Sequence, residues 1–322
     1  MKSLGCSGTF QKLVECARKI EPRQLLKISS EYMHNQSTFI FNDPTFSPVV
    51  DDYFLRDMPL NLMNQGSFKK CSILTGVNKN EGNLFLDAAF DIFKSKTAPV
   101  LNYSTFENLL STYFYFYPKY PNTSSNEIKN ALIYRYTNWS DIENNKYYND
   151  NLDYAVGDYS YMSPCIQLVD FYSKNNLKVY QYYFTHHNSL PNHPDWWGVA
   201  HADDLAFVYG KPLATDSKYS DSDKKVSKIF INYWNNFVRY DNPNGPNVNE
   251  DSWPVYNCSK KAYINLKTEP DIEYSLRAEY SAFWNVYLPT LLTEKSIFCV
   301  LYFLLLNFYP YDFYLNMIDR YD

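Results

Sequence analysis

The sequence predicts an α/β fold, and three observations carry that reading. Residues 72–77 form a short apolar run closed by the polar turn Asn78-Lys79-Asn80-Glu81-Gly82, which reads as a buried strand. Residues 179–185 alternate apolar and aromatic side chains and read as a second strand. Between and after them run segments of helical periodicity, among them a long amphipathic one over residues 221–240. Strands interleaved with helices indicate α/β rather than all-β. The chain has 322 residues, 45% hydrophobic and 20% charged, enough apolar material for a sizeable core.

Taken in order, residues 10–19 read as an amphipathic helix and 22–28 as a short one, followed by irregular chain to residue 50. A turn is expected at Asp51-Asp52 and a helix over 59–65. After the first strand, helices are expected over 104–117, over 124–138 with Ser124-Ser125 as N-cap candidates, and over 152–174. The helix over 221–240 stops at Asn242-Pro243-Asn244-Gly245. Residues 262–266 read as a third strand and 271–292 as a last helix. Residues 297–309 are apolar apart from Asn307, but thirteen residues fall short of the roughly 18–20 a spanning helix needs. The charged stretch 310–322 that follows also argues against a lipid-anchor signal. The expectation is a buried or interfacial helix, or unrelated appended sequence, with membrane anchoring left open. The chain is therefore divided into a main portion, 1–292, and a hydrophobic and aromatic tail, 293–322.

Only nine glycines occur, and none are spaced for GxGxxG, GxSxG or a P-loop. Net charge is −5, against the basic balance a polyanion-binding surface needs, so no nucleic-acid partner is expected. The six cysteines form no CxxC. Cys6 and Cys16 close a short loop that forms a disulfide in an oxidising compartment and holds two thiols in a reducing one; the residues alone leave both open. Sequons stand at Asn35, Asn102, Asn122, Asn138 and Asn257, weak support for secretion in a chain so rich in Asn. The segment from Met1 to Cys6 has no apolar signal core. A cytosolic chain, or an N-terminus lying further upstream, is the expectation.

Two places combine a titratable residue with a strand-end loop. Glu81 follows the first strand, where a carboxylate can accept a histidine N–H and fix its tautomer. His201 lies between Trp196-Trp197 and the carboxylates Asp203-Asp204, a setting that supplies a general base with a partner and a dry wall. His186, His187, His193 and His201 lack metal-ligand spacing and a nearby cysteine, so neither a metal nor a cofactor is expected. The aromatic run Tyr113 to Tyr117 reads as core.

Several of these residues fall in a familiar frame. Lys69-Lys70-Cys71-Ser72-Ile73-Leu74-Thr75-Gly76-Val77-Asn78-Lys79-Asn80-Glu81-Gly82 resembles the acid-bearing strand and turn of type-B carboxylesterases, the cholinesterases in particular. Gly198-Val199-Ala200-His201-Ala202-Asp203-Asp204 is similar to that family's histidine loop. Gly5-Cys6 to Cys16, Pro48-Val49-Val50-Asp51, Tyr233-Trp234 with Asn242-Pro243-Asn244, Trp253-Pro254 and Phe283-Trp284-Asn285 match in register over residues 1 to about 292.

The resemblance implies the C-terminal portion of an α/β-hydrolase fold, an incomplete central sheet with flanking helices. It implies Glu81 as triad acid and His201 as triad base, in the order Ser…Glu…His. It also places the nucleophile elbow upstream of Gly5-Cys6, so this chain carries only two triad members. Ser7 is no substitute, because Gly5-Cys6-Ser7-Gly8-Thr9 lacks the second glycine. The chain as given is therefore expected to be inactive, and its parent to be a secreted or cell-surface serine ester hydrolase acting through an acyl-enzyme.

Within the family, the strand-and-turn match favours an acetylcholinesterase-like enzyme acting on choline esters. Phe85 stands where an aromatic holds the quaternary ammonium by cation–π contact, beside Leu84 and Ala88. Phe39 and Phe41 match acyl-pocket aromatics. Ala202-Asp203-Asp204, in place of Gly-Tyr-Glu, is closer to general carboxylesterases, the alternative substrate class; a non-catalytic neuroligin-like adhesion protein is the alternative of another kind. The resemblance further implies a Cys6–Cys16 disulfide and places the family's long-range disulfide on Ser163 and Ser281. The expected partners are a small-molecule ester and a second copy assembled through C-terminal helices.

Overall fold

The computed structural model describes residues 4–35, 48–115, 125–246 and 252–291. It forms two compact units, Met1–Val49 and Val50–Asp322. In the first, α1 (Phe10–Ala17) and α2 (Pro22–Asn35) follow one another. Pro22 opens α2, where its missing N–H costs nothing, and the Glu21 carboxylate accepts the Gln24 N–H at 3.1 Å. A disulfide joins Cys6 to Cys16, with Cα atoms 5.8 Å apart.

The second unit is built on a four-stranded sheet in the order β1 (Ile73–Asn78), β2 (Val179–Phe184), β3 (Ala262–Leu266), β4 (Asp271–Tyr274). β1 and β2 are parallel from Ile73↔Val179 to Asn78↔Phe184, β2 and β3 are parallel, and β3 and β4 antiparallel. The segment between β1 and β2 carries α3's successors: α3 itself is Pro59–Asn64, before the sheet, and then come α4 (Asn83–Ala89), α5 (Tyr103–Tyr115), α6 (Ser125–Tyr136), α7 (Tyr148–Gly157) and α8 (Ser163–Lys174). After β2 follow α9 (Asp203–Val208) and α10 (Asp221–Tyr240).

β2 is covered on both faces, as a central parallel strand must be. Tyr180, Tyr182 and Phe184 pack on Phe207, Val226, Phe230 and Trp253. On the opposite face Val179 packs with Val169 and Tyr172 of α8, and Tyr183 borders Val77, Met162 and Tyr263. α10 is held at its start by a capping box: Ser220 Oγ accepts the Asp223 N–H, and Asp223 accepts the Ser220 N–H at 3.0 Å. It stops at Asp241, whose φ of 55° is left-handed.

Three expectations are corrected. The short helix expected over 22–28 runs on as α2 to Asn35. Residues 271–292 do not form one helix. Asp271–Tyr274 pairs with β3, Ile272 opposite Ile264, while Glu273 accepts bonds from Tyr263 Oη at 2.6 Å and Asn265 Nδ2 at 2.8 Å. β3 would otherwise present an unpaired backbone edge. The chain then turns through Ser275 and Arg277, both at positive φ, before helical residues Ala278–Ala282, a π turn at Phe283–Tyr287 and Leu288–Leu291. The helix expected over 152–174 starts earlier, at Tyr148, and is interrupted by a π turn at Asp158–Met162. Pro164 has no N–H to give to the carbonyl four residues back, which relaxes the ladder there. That turn aims Asp158 at Arg277, two bonds of 2.6 Å.

Ser163 and Ser281 are both buried. Among the described residues no helix is long and apolar enough to cross a membrane. Phe39, Phe41 and the 293–322 tail lie outside the described residues.

Candidate active site

β1 ends at Asn78, and the next four residues turn the chain into α4. The turn closes on itself: the Asn78 N–H donates to Glu81 Oε1 at 2.6 Å. Gly82 sits so close to α7 that a Cβ there would lie 2.1 Å from the Asp153 carbonyl oxygen; only glycine fits. Asp153 reaches back with its carboxylate, accepting Asn80 Nδ2 and the Gly82 N–H, each at 2.8 Å. Burial pushes the Asp153 carboxyl up to about 8, against the pull of the bonds from Asn80, Gly82 and Asn83.

The histidine loop lies alongside as an extension of the sheet. Asn80 and Ala200 form a parallel bridge, with the Asn80 N–H donating to the Val199 carbonyl at 2.8 Å. Asn80 Oδ1 accepts the Val199 N–H at 3.0 Å. Gly198 has φ of +75°, and a Cβ on it would meet Asn80 Oδ1 at 2.4 Å, so both its conformation and its neighbour require glycine. Asn78 Nδ2 donates to the Ala200 carbonyl at 2.7 Å.

These contacts bring together the two residues the sequence singled out. His201 Nδ1 lies 2.7 Å from Glu81 Oε2, with side chains 15% and 6% exposed. A carboxylate only accepts, so the Nδ1–H donates and Nε2 carries the lone pair. That nitrogen faces Tyr161 Oη at 3.4 Å, and the Tyr161 ring lies against the imidazole, 4.5 Å between centroids. Phe85 is buried, its ring 5.9 Å from His201 and 5.7 Å from Tyr161.

Burial works against a charged His201 ring. The Glu81 charge and hydrogen bond, then Asp204 and Asp203, outweigh it and hold the pKa above the ordinary histidine value. Asp204 is itself raised, by burial and by the Glu81 charge, although Tyr182 Oη at 2.8 Å and Asn78 Nδ2 at 3.3 Å donate to it. The arrangement is an imidazole of fixed tautomer, backed by a carboxylate, with its second nitrogen turned toward a neighbouring hydroxyl. It can take a proton from a hydroxyl and return it to a leaving group.

Four histidines each face a different carboxylate: His186 with Asp223, His187 with Asp195, His193 with Asp203 and His201 with Glu81. In the sequence His193 stands out only beside the other histidines, as a metal ligand that the spacing does not support. In the structure it supports the histidine loop, because Asp203 also accepts the Ala200 N–H at 2.9 Å. Asp153 and Tyr161 carried no motif signal, and Asn78 and Asn80 stood inside the acid-turn motif with no role of their own legible there.

The Carboxylesterase family model matches residues 1–284. The chain is 34% identical over 299 residues to the acetylcholinesterase of Bungarus fasciatus, covering 92% of this chain and 47% of that protein. It is 31% identical over 293 residues to the cholinesterase of Mus musculus, covering 90% of this chain and 47% of that protein. The chain thus spans about half the length of these relatives. An acid turn and a histidine loop joined across a parallel sheet, within a family match over nearly the whole described chain, place this protein in the carboxylesterase family, whose fold is the α/β-hydrolase fold.

Proposed function

We propose that this chain is the portion of a carboxylic ester hydrolase that carries the acid and the base of its acyl-transfer centre. His201 acts as general base through Nε2, and Glu81 orients it and stabilises the imidazolium. The observation that carries this is the 2.7 Å contact between His201 Nδ1 and Glu81 Oε2. The nucleophile in this reading is a serine from a segment beyond the 322 residues, and the 322-residue chain alone is inactive. Residues 1–292 form the enzymatic portion and 293–322 a separate tail.

Choline esters are the proposed substrates. The relatives named acetylcholinesterase and cholinesterase support this, as does an aromatic ring, Phe85, beside the imidazole. Phe39 and Phe41 are proposed to line the acyl pocket. The Ala202-Asp203-Asp204 sequence after the histidine favours a second reading, a general carboxylesterase.

Comparing acetylthiocholine with an uncharged thioester of the same acyl group, on protein expressed from the whole reading frame, separates the two. Preference for the charged thioester supports the choline reading; equal rates support the general esterase. No turnover of either ester leaves the adhesion-type alternative. The Cys6–Cys16 disulfide supports a secreted or cell-surface location, and the exposed sequon Asn102 is a proposed glycan site. Assembly through C-terminal helices is proposed for the parent protein.

A further inference from the structure

Glu81 and His201 stand 120 residues apart in the chain, and neither is long enough to correct for a misplaced loop. Three buried amides reach from the acid turn to the histidine loop, Asn78, Asn80 and Asn83, and Asn80 is the one whose side chain also bonds α7. Asn80, 7% exposed, precedes Glu81 and donates from Nδ2 to Asp153 Oδ2 at 2.8 Å. Its Oδ1 accepts the Val199 N–H at 3.0 Å, two residues before His201. The amide is thereby oriented one way, its oxygen toward a donor and its nitrogen toward an acceptor. Asp153, 1% exposed on α7, takes the Gly82 N–H on its other oxygen at 2.8 Å. The carboxylate therefore grips the residue before Glu81 and the residue after it, and Asn80 transmits that grip to the histidine loop.

We propose that Asp153 and Asn80 are a positioning pair that sets the separation of Glu81 from His201. The proposal rests on the reading of Glu81 and His201 as the acid–base pair. Neither positioning residue needs to touch substrate. Their effect is geometric, and displacing a reacting group by about 1 Å can cost roughly 10²-fold in rate.

The donor and acceptor polarity of the pair makes this testable on the 322-residue chain. D153N puts an N–H against either Asn80 Nδ2 or the Gly82 N–H, whichever way the new amide turns. N80D sets a second carboxyl group against Asp153, and because Asp153 holds its proton up to about pH 8 the variant is read at pH 9, where no proton bridges the two. The double variant N80D/D153N reverses the polarity and satisfies every bond. The α7 amide nitrogen donates to the carboxylate at 80, the α7 amide oxygen still accepts the Gly82 N–H, and the carboxylate at 80 still accepts the Val199 N–H.

The readout is the low-field proton resonance of His201 Nδ1–H and its exchange with solvent, in chain labelled with ¹⁵N-histidine. E81A removes the acceptor and loses the resonance. D153N and N80D are each expected to lose it or exchange it roughly tenfold faster or more, and N80D/D153N to restore it. Singles that lower thermal stability but leave the resonance and its exchange as in the unmodified chain overturn the positioning role. So does a double variant that fails to recover the resonance, whether folded or not. An E81A chain whose resonance is unchanged overturns instead the Glu81–His201 reading, and the two failures are distinct.

Discussion

His193 Nε2 meets Asp203 Oδ2 at 2.9 Å, with the imidazole lying parallel to Trp197, 5.3 Å away and tilted by 10°. Its Nδ1 faces the Pro194 carbonyl at 3.1 Å, so both ring nitrogens face acceptors and the doubly protonated ring satisfies both. Asp203 in turn holds the Ala200 N–H, the residue before His201.

This pair predicts a pH dependence of stability. Burial lowers the His193 pKa, but the Asp203 bond and charge outweigh it and the net shift is upward from 6.5. The stabilisation is fully present below the unfolded value near 6.5 and is lost as pH rises through the higher folded value. H193F keeps a ring on Trp197 but leaves Asp203 short of a buried partner, at a cost of about 1–3 kcal/mol. Urea unfolding from pH 5 to pH 9 should show the unmodified chain losing stability across the alkaline half of that range. H193F should show a smaller difference there; an identical profile contradicts the pairing.

The same sign governs turnover. His201 acts as a base only when neutral, and its pKa is raised by Glu81. Ester hydrolysis by the whole-reading-frame protein should therefore rise with pH through an ionisation above 6.5 in kcat/KM. An acid limb well below that value speaks against His201 as the group that titrates.

Gly198→Ala tests the contact between the two loops. A side chain there is strained by φ of +75° and meets Asn80 Oδ1 at 2.4 Å. The expected loss is about 2 kcal/mol or more in unfolding free energy, with ester hydrolysis reduced beyond what the unfolded fraction explains. Unfolding and activity measured on the same sample check both parts. A variant as stable as the parent shows that the loops do not depend on this approach.

The Cys6–Cys16 bridge closes a loop of ten residues' separation. Chain-closure entropy assigns such a bridge about 2–3 kcal/mol. C6S/C16S should unfold at lower temperature, and mass analysis of secreted protein should find this pair linked. Two free thiols in protein from an oxidising compartment contradict the pairing.

Strands β1, β2 and β3 were legible because apolar runs with turn residues at their ends have few other uses, and α10 because its amphipathic face runs up to the breaker Asn242-Pro243. Glu81 and His201 were legible through the family resemblance of their flanking residues, which short-range pattern alone does not supply. β4 was missed because Asp271, Glu273 and Tyr274 are polar or half-exposed and take their strand form from the edge of β3 rather than from their own periodicity. Asn80 and Asp153 were invisible for a related reason: they are 73 residues apart and gain their role only when α7 is packed against the acid turn. The π turn at Asp158–Met162 depends on the tertiary partner Arg277 as well as on Pro164.

The claim that His201, backed by Glu81, is the base of an ester hydrolase is tested most directly by steady-state hydrolysis of acetylthiocholine with whole-reading-frame protein and its H201Q and E81Q variants. The account predicts kcat lower by roughly 10³-fold or more in H201Q, with a smaller loss in E81Q and little change in KM for either. H201Q protein that is folded and hydrolyses the ester at the parent rate would contradict it.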